Sequence, residues 1–345
     1  TLCDGSTTRV VEPSHSVEVK PFGMEVIPQG TQVGPPQTYD WPKVSAEFYV
    51  PSYYGVAIDP SGKIHALDAG GISVSGAEYN NAEVIFDPNT PDGTRETSYD
   101  NPPHKSLAKD GNNNMFYPSI MRNKIVKWPN ELGYNWTTQG TTFNRPSGIA
   151  IDSTGNIYVS DTGNNRIQKL QNNGTFVLAW GSQGVGQGQF NNPNGMAVGN
   201  NRLYVADSGN NRIQVFNLDG TFYKTWGSYG SDNGQFKNPQ SIAIDGNGNV
   251  FVADTGNNRI QKFGMEGNYQ SSFGSFGSDP GQLREPQGVA VDGNGDVYVA
   301  DTGNIRIARF TNDGQYVRQY TDHGTSGQGA GAYNLGVSMA GMYNP

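Results

Sequence analysis

A segment of 46 or 47 residues recurs through the second half of the chain and limits the folds open to it. Its four clearest copies begin at Pro146, Pro193, Pro239 and Pro286. In each copy, short runs of β-branched and aromatic residues alternate with turns rich in Gly, Asn and Asp. Such turns favour tight hairpins, because Gly and Asn accept the positive φ angles that hairpins need. Four short strands in a period of about 40–50 residues indicate the blade of a β-propeller.

The copy at Pro146 shows the strands most clearly. Its four runs, here labelled a to d, lie at Gly148–Asp152, Ile157–Asp161, Arg166–Leu170 and Phe176–Gly181. Two weaker copies precede the four clear ones. We therefore predict an all-β fold, a propeller of four-stranded antiparallel blades at about residues 51–100, 102–140, 146–181, 193–227, 239–274 and 286–321.

The two ends of the chain carry fragments of a further copy. Residues 333–345 contain a segment that resembles run a. Residues 17–41 end in Trp41, which precedes the next run a by about the same distance as the tryptophan of a run d does. We therefore expect a seventh, split blade formed by these two segments, in one domain of residues 17–345 after a tail of residues 1–16. Such closure would hide two open sheet edges. The alternative is six blades with terminal extensions packed outside.

The composition excludes several classes of protein. Lys and Arg total 23 against 31 Asp and Glu, which gives a formal charge of −8. A binder of the phosphate backbone needs clustered basic residues, so we expect no nucleic-acid partner. Cys3 is the single cysteine, which excludes an internal disulfide. No apolar run approaches the ~18 residues of a membrane span, so we expect no transmembrane segment.

The low charge and the sequence at the start favour a protein outside the cytosol. The chain begins with Thr1, and its charged residues make up 16%. Two sequons, at Asn135 and Asn173, are candidate glycosylation sites. We expect a secreted or cell-surface protein whose leader has been removed.

The motif at the junction of runs b and c resembles that of a known family. The segments DTGNNRIQ at Asp161–Gln168 and Asp254–Gln261, each after a strand like PSGIAID, resemble the NHL-repeat family of β-propellers. The resemblance is strong over residues 146–321 and weaker over 51–140. Part of the weaker region also resembles propellers of the streptogramin-lyase type. The resemblance implies the fold but no single function, because propellers include lyases, hydrolases, sensors and binding scaffolds.

Each clear copy also places an Arg five residues after an Asp. The b–c hairpin can join the two side chains in a charge-assisted hydrogen bond. Four identical copies favour a structural role over four anion-binding arginines. The pairs are Asp161/Arg166, Asp207/Arg212, Asp254/Arg259 and Asp301/Arg306.

The evidence for a metal or catalytic site is weak. The turn Asp292–Asp296 spaces its oxygen donors as the start of a calcium loop does, but no Glu follows at the twelfth position. We expect no cofactor, with calcium at such turns as the alternative. The resemblance to streptogramin and amidating lyases implies histidines where channel-facing strands begin. Only His104 lies near such a start, one residue out of register, and it is the weak catalytic candidate.

The residues that precede the six runs a form the predicted rim of the channel. They are Tyr54, Lys105, Ser147, Asn194, Gln240 and Gln287. This mostly neutral set suits amide, peptide or sugar ligands better than chemistry that needs a nucleophile. We therefore expect a non-enzymatic binding or interaction scaffold for a protein, peptide or glycan, with self-assembly left open. The alternative is a metal-dependent lyase of the amidating or streptogramin type.

Overall fold

The computed structural model describes residues 2–4, 7–9, 53–58, 62–68, 81–88, 96–101, 106–110, 114–120, 123–128 and 141–321. The chain divides into two compact units, residues 1–46 and 47–345. In the first unit, strands β1 (Leu2–Asp4) and β2 (Thr7–Arg9) form an antiparallel hairpin. The boundary predicted after residue 16 lies outside the described residues.

The second unit contains five four-stranded antiparallel sheets and one three-stranded sheet, each with its strands in sequence order. The first sheet contains β3 (Tyr53–Ile58), β4 (Ile64–Asp68), β5 (Asn81–Phe86) and β6 (Glu96–Asn101). The second contains β7 (Ala108–Lys109), β8 (Met115–Ser119) and β9 (Lys124–Trp128). The third contains β10 (Ile149–Ile151), β11 (Ile157–Asp161), β12 (Arg166–Leu170) and β13 (Phe176–Trp180).

The last three sheets repeat the arrangement of the third. The fourth contains β14 (Pro193–Gly199), β15 (Arg202–Asp207), β16 (Arg212–Asn217) and β17 (Phe222–Trp226). The fifth contains β18 (Pro239–Ile244), β19 (Asn249–Asp254), β20 (Arg259–Gly264) and β21 (Tyr269–Phe273). The sixth contains β22 (Pro286–Val291), β23 (Val297–Asp301), β24 (Arg306–Phe310) and β25 (Tyr316–Tyr320). The predicted propeller of four-stranded antiparallel blades is confirmed. The fourth strand expected in the second sheet falls in residues 129–140, which are not described.

The hydrophobic core lies between neighbouring sheets. One cluster joins Tyr158 and Ile167 of the third sheet to Met196 and Leu203 of the fourth. The second strands are buried along most of their length, whereas β13 alternates half-buried and exposed residues. This pattern follows from position, since inner strands have neighbours on both faces and the outer strands border solvent.

The sixth sheet packs directly on the first. The Thr302 hydroxyl donates to the carbonyl oxygen of Tyr53 at 2.6 Å, and Tyr298 and Tyr320 share a buried cluster with Tyr53 and Ile64. This contact leaves no space for a further sheet between them. The seventh, split blade predicted at this position is therefore wrong. Its segments, residues 17–41 and 333–345, lie outside the described residues.

Equivalent threonine hydroxyls join the third sheet to the fourth and the fifth sheet to the sixth. Thr162 donates to the carbonyl oxygen of Pro193, and Thr255 to that of Pro286, each at 2.6 Å. The first and second sheets also touch, because Lys109 Nζ lies 3.1 Å from His65 Nε2.

Among the described residues the only helices are four 3-10 turns after the second strands of sheets three to six, and none could cross a membrane.

An asparagine in the left-handed region closes each 3-10 turn except the last. Asn165, Asn211 and Asn258 have φ angles of 50°, 55° and 55°. The Asn258 side-chain oxygen accepts the Glu285 amide of the next blade at 2.9 Å, and the other two do the same for their neighbours. Ile305 takes this position in the sixth sheet with φ 55°, a conformation that a β-branched residue adopts only with strain.

We expect Ile305→Asn to raise the free energy of unfolding by about 1–2 kcal/mol, because it removes a strained β-branched residue from the left-handed region. Chemical denaturation followed by tryptophan fluorescence measures the change. The reverse variant, Asn258→Ile, is the matched control and should destabilise the protein. A loss of stability in the Ile305 variant would contradict this account of the turn.

Candidate binding site at the channel mouth

One small cavity lies where the first strands of all six sheets begin. It is lined by Tyr54, Ser106, Ser147, Asn194, Gly195, Gln240, Ser241 and Gln287. The structure thus brings together five of the six predicted rim residues, and Ser106 represents the second sheet. Lys105 and His104 fall outside the described residues. The volume is about 20 Å³, enough for roughly one water molecule.

The cavity is narrow because the inner strands approach one another at small residues. A Cβ atom on Gly195 would lie 2.5 Å from the carbonyl oxygen of Gln240 and 2.6 Å from Ser241 Cα. Gly288 faces Gly55 in the same way, with 3.0 Å between its ideal Cβ and Gly55 Cα. Neighbouring backbones therefore approach each other more closely here than a side chain would permit. Because glycine has no side chain, the starts of the inner strands can converge.

The lining residues that the structure describes are uncharged and offer hydrogen-bonding groups. Asn194 donates from Nδ2 to Ser208 Oγ at 3.0 Å, and Gln240 donates from Nε2 to Asn238 Oδ1 at 2.7 Å. Within the described part of the chain, the carboxamide oxygens of Asn194, Gln240 and Gln287 accept no hydrogen bond. These three oxygens are available to donors on a ligand.

The four Asp/Arg pairs predicted from the repeat are all in contact, away from this cavity. The Arg Nε to Asp Oδ2 distances are 2.6–2.8 Å, and all four carboxylates are fully buried. Asp254 also accepts hydrogen bonds from the Lys237 amide, Asn257 Nδ2 and Gln261 Nε2. Each pair thus ties the b–c hairpin to the loop that precedes the blade. In the sixth sheet, burial raises the pKa of the Asp301 carboxyl.

The a–b turns use their oxygen donors internally. Asp245 Oδ1 accepts the amides of Asn247 and Asn249, and Oδ2 accepts the side chains of Asn249 and Asn312. Burial alone would raise the pKa of Asp245, but the hydrogen bonds from Asn249 and Asn312 outweigh burial and hold it below its usual value. In the described ranges, no three His, Cys, Asp or Glu side chains come together as metal ligands. The expectation of no cofactor, with calcium at these turns as the alternative, stays a prediction.

The described histidine and the described sequon asparagine, His65 and Asn173, do not line the cavity. His65 is buried in β4 beside Lys109. Asn173 is exposed in the turn between β12 and β13, and its Oδ1 accepts the Thr175 amide at 3.0 Å. Asn135 is outside the described residues.

Sequence reasoning missed the exposed side chains of the loops that lead into the inner strands. Val185, Tyr229 and Phe276 are 77%, 67% and 68% exposed, the highest values for large apolar residues in the described segments. Gln183, Tyr229 and Phe276 occupy equivalent positions in three successive loops. Each forms a β-bridge with a residue at an equivalent later position, namely Phe190, Phe236 and Leu283 in that order. That alignment is the signal that could have identified the two rings.

Comparison with known proteins agrees with the fold. The family model for the NHL repeat matches residues 143–170, 190–216, 236–263 and 283–310. No curated protein sequence matches the chain.

Similar solved structures include proteins of different function. A streptogramin B lyase has 18% identity and a TM-score of 0.53, with 79% of this chain and 84% of that chain covered. A nidogen/laminin complex gives 16% identity, a TM-score of 0.51 and coverage of 71% and 90%. An auxiliary nutrient binding protein from Bacteroides ovatus gives 12% identity, a TM-score of 0.56 and coverage of 75% and 69%. At these identities the likeness shows the fold alone.

Proposed function

We propose that this chain, an NHL-repeat β-propeller, is a non-enzymatic binding scaffold that holds a protein, peptide or glycan ligand over the mouth of its channel. The observation that carries the proposal is the uncharged set of described residues that line the cavity where the six inner strands begin. Three carboxamide oxygens there lack donors from the described residues. They can exchange hydrogen bonds with water for hydrogen bonds with amide or hydroxyl groups of a ligand, which offsets the cost of removing them from water.

The size of the cavity supports binding at the surface. Pockets that enclose a small-molecule substrate measure about 300–1,000 Å³. The cavity at the channel mouth is about 20 Å³, so it admits at most a single small group. A ligand would therefore lie across the mouth and the surrounding loops, as a chain or a protein surface does.

The chemistry of the lining also favours binding over catalysis. A serine nucleophile needs an adjacent base. Ser147 Oγ instead lies 2.5 Å from Thr162 Oγ1, and the described residues that line the cavity include no His, Asp or Glu. A metal-dependent lyase of the amidating or streptogramin type, with His104 as its weak catalytic candidate, is the alternative function.

The proposed location is outside the cytosol, at the cell surface or after secretion. Support comes from the low content of charged residues and from the exposed sequon at Asn173. Solved structures of similar fold include a nidogen/laminin complex and a nutrient binding protein. This fold is therefore compatible with a binding role.

A screen of a random-peptide display library and a glycan array tests the proposal. Gln240→Leu and Gln287→Leu keep the side-chain volume but remove the carboxamides, and we expect the double variant to bind its best ligand at least about tenfold more weakly. Gln270→Leu, on the exposed face of β21, is the matched control and should bind normally.

Enzyme assays test the alternative lyase function. Amidated-peptide precursors and streptogramin lactones, each with added calcium, zinc or magnesium, should show no turnover. Turnover that disappears in His104→Ala would refute the scaffold and establish the lyase.

A further inference from the structure

The cavity at the channel mouth can hold one small group at most. Its volume of about 20 Å³ is that of roughly one water molecule. The inner strands meet closely at Gly195, so the cavity cannot widen unless two sheets move apart. The part of a ligand that enters is therefore a single small polar group, and the donors and acceptors of the lining decide which group fits.

The serine of the third sheet contributes an acceptor to the lining. Ser147 is buried, and its Oγ lies 2.5 Å from Thr162 Oγ1. Thr162 donates its own hydroxyl hydrogen to the carbonyl oxygen of Pro193 at 2.6 Å. Because that hydrogen is engaged, the Ser147 hydroxyl is the donor of the pair. Ser147 Oγ can then only accept a further hydrogen bond.

The carboxamides of the fourth and fifth sheets are committed in the same way. Asn194 Nδ2 donates to the carbonyl oxygen of Asn192 at 3.1 Å and to Ser208 Oγ at 3.0 Å. Because a carbonyl oxygen can only accept, this contact identifies the nitrogen end and leaves Oδ1 as an acceptor. Gln240 likewise donates from Nε2 to Asn238 Oδ1 at 2.7 Å, and its Oε1 has no donor among the described residues.

Three acceptor oxygens thus come from three successive sheets to one cavity, and Gln287 adds a carboxamide from the sixth sheet. Acceptors of this kind bind a group that donates. A primary ammonium carries three N–H donors and no acceptor, which matches three oxygens whose own hydrogens are used elsewhere. A guanidinium is also a pure donor, but its planar fork of three nitrogens is larger than the cavity.

The electrostatics also favour a cation. The chain has a formal charge of −8, which attracts cations towards its surface. The described lining residues carry no charge that would repel an ammonium group. Uncharged oxygens can replace the water around a compact cation, as they do in ion-selective pores. Lysine carries such a group on a flexible four-carbon stem, so a peptide lying across the mouth can insert it.

We propose that the cavity binds the ammonium group of a lysine side chain that a peptide or protein partner presents. Ser147 Oγ, Asn194 Oδ1 and Gln240 Oε1 accept its three N–H bonds. The proposal rests on the binding function proposed above and names the group that anchors the ligand. A free N-terminal amine offers the same chemistry on a shorter stem, and the test separates the two.

The first test compares ligands on the full chain by isothermal titration calorimetry. The probe is a pentapeptide with both ends blocked, a central lysine and glycine elsewhere. Matched peptides carry acetyl-lysine, arginine or norleucine at the centre, and pentaglycine amide with a free N-terminus supplies the other amine. We expect the lysine peptide to bind at least about tenfold more tightly than each of the four.

The second test changes the lining. Gln240→Glu should tighten binding of the lysine peptide about tenfold, because a carboxylate attracts the ammonium, and Gln240→Leu should weaken it about tenfold. A merely structural role for Gln240 predicts no gain in the first variant. Gln287→Lys should abolish binding by placing an ammonium group at the cavity. Gln270→Lys, on the exposed face of β21, adds the same charge elsewhere and should bind normally.

Four results would overturn the proposal. They are equal binding of the lysine and norleucine peptides, tighter binding of pentaglycine amide, no gain with Gln240→Glu, and binding that appears only in Lys105→Met. The last result would assign the cavity to the chain's own lysine at the predicted rim. A lysine-free peptide or a glycan that binds through Gln240 and Gln287 would keep the scaffold and refute the ammonium site. Absence of every ligand would refute both.

Discussion

Asp254→Ala should lower the free energy of unfolding by about 3–5 kcal/mol, the largest effect that we expect from a single substitution. The fully buried carboxylate accepts hydrogen bonds from the Arg259 guanidinium, the Asn257 and Gln261 side chains, and the Lys237 amide. Its removal leaves four donors without their acceptor, one of them charged. Urea denaturation measures the loss.

The arginines should matter less. Arg166, Arg212, Arg259 or Arg306 replaced with Ala should cost roughly 1–3 kcal/mol each, because the carboxylate keeps its other donors. Ligand affinity should stay the same in every folded variant. An arginine variant of normal stability that no longer binds ligand would show that the pairs belong to a binding site.

Gly148→Ala should destabilise the protein by about 3 kcal/mol, at the upper end for an overpacked site. The new methyl group would strike the carbonyl oxygen of Asn194 and Ser160 Oγ, so the inner strands of the third and fourth sheets would have to separate. Thermal unfolding measures the change. Gly246→Ala, at a turn with no atom within 4 Å of the new methyl, is the control. Equal stability of the two variants would contradict the close approach.

The repeat predicts local structure well, because strand and turn preferences lie in consecutive residues. The predicted runs Ile157–Asp161 and Arg166–Leu170 coincide with β11 and β12. Run a was predicted at Gly148–Asp152, and the strand β10 covers Ile149–Ile151, one residue shorter at each end. The period also brings five of the predicted rim residues to one cavity, because equivalent residues of a repeat take equivalent places. Their role in binding a ligand stays a prediction.

The sequence could not predict contacts between distant segments. The likeness of residues 333–345 to a run a indicates a strand type but not its neighbours. The packing of Gly288 against Gly55 and of Thr302 against Tyr53 depends on the curvature accumulated over all the sheets. The rings of Tyr229 and Phe276 were missed for a related reason, because aromatic content suggests a core until exposure is known.

The hydrogen bond between Thr302 and Tyr53 joins residues 249 positions apart. In an open row of modules, the two end modules have one neighbour each and fray first. Here the described sheets have no end module, because the first and the sixth also hold each other. Rupture of any one junction would expose two apolar sheet faces at once, so partial unfolding confined to one blade is costly. The described sheets should therefore melt as one cooperative unit, with a blade far from a destabilising substitution losing its structure together with the blade that carries it.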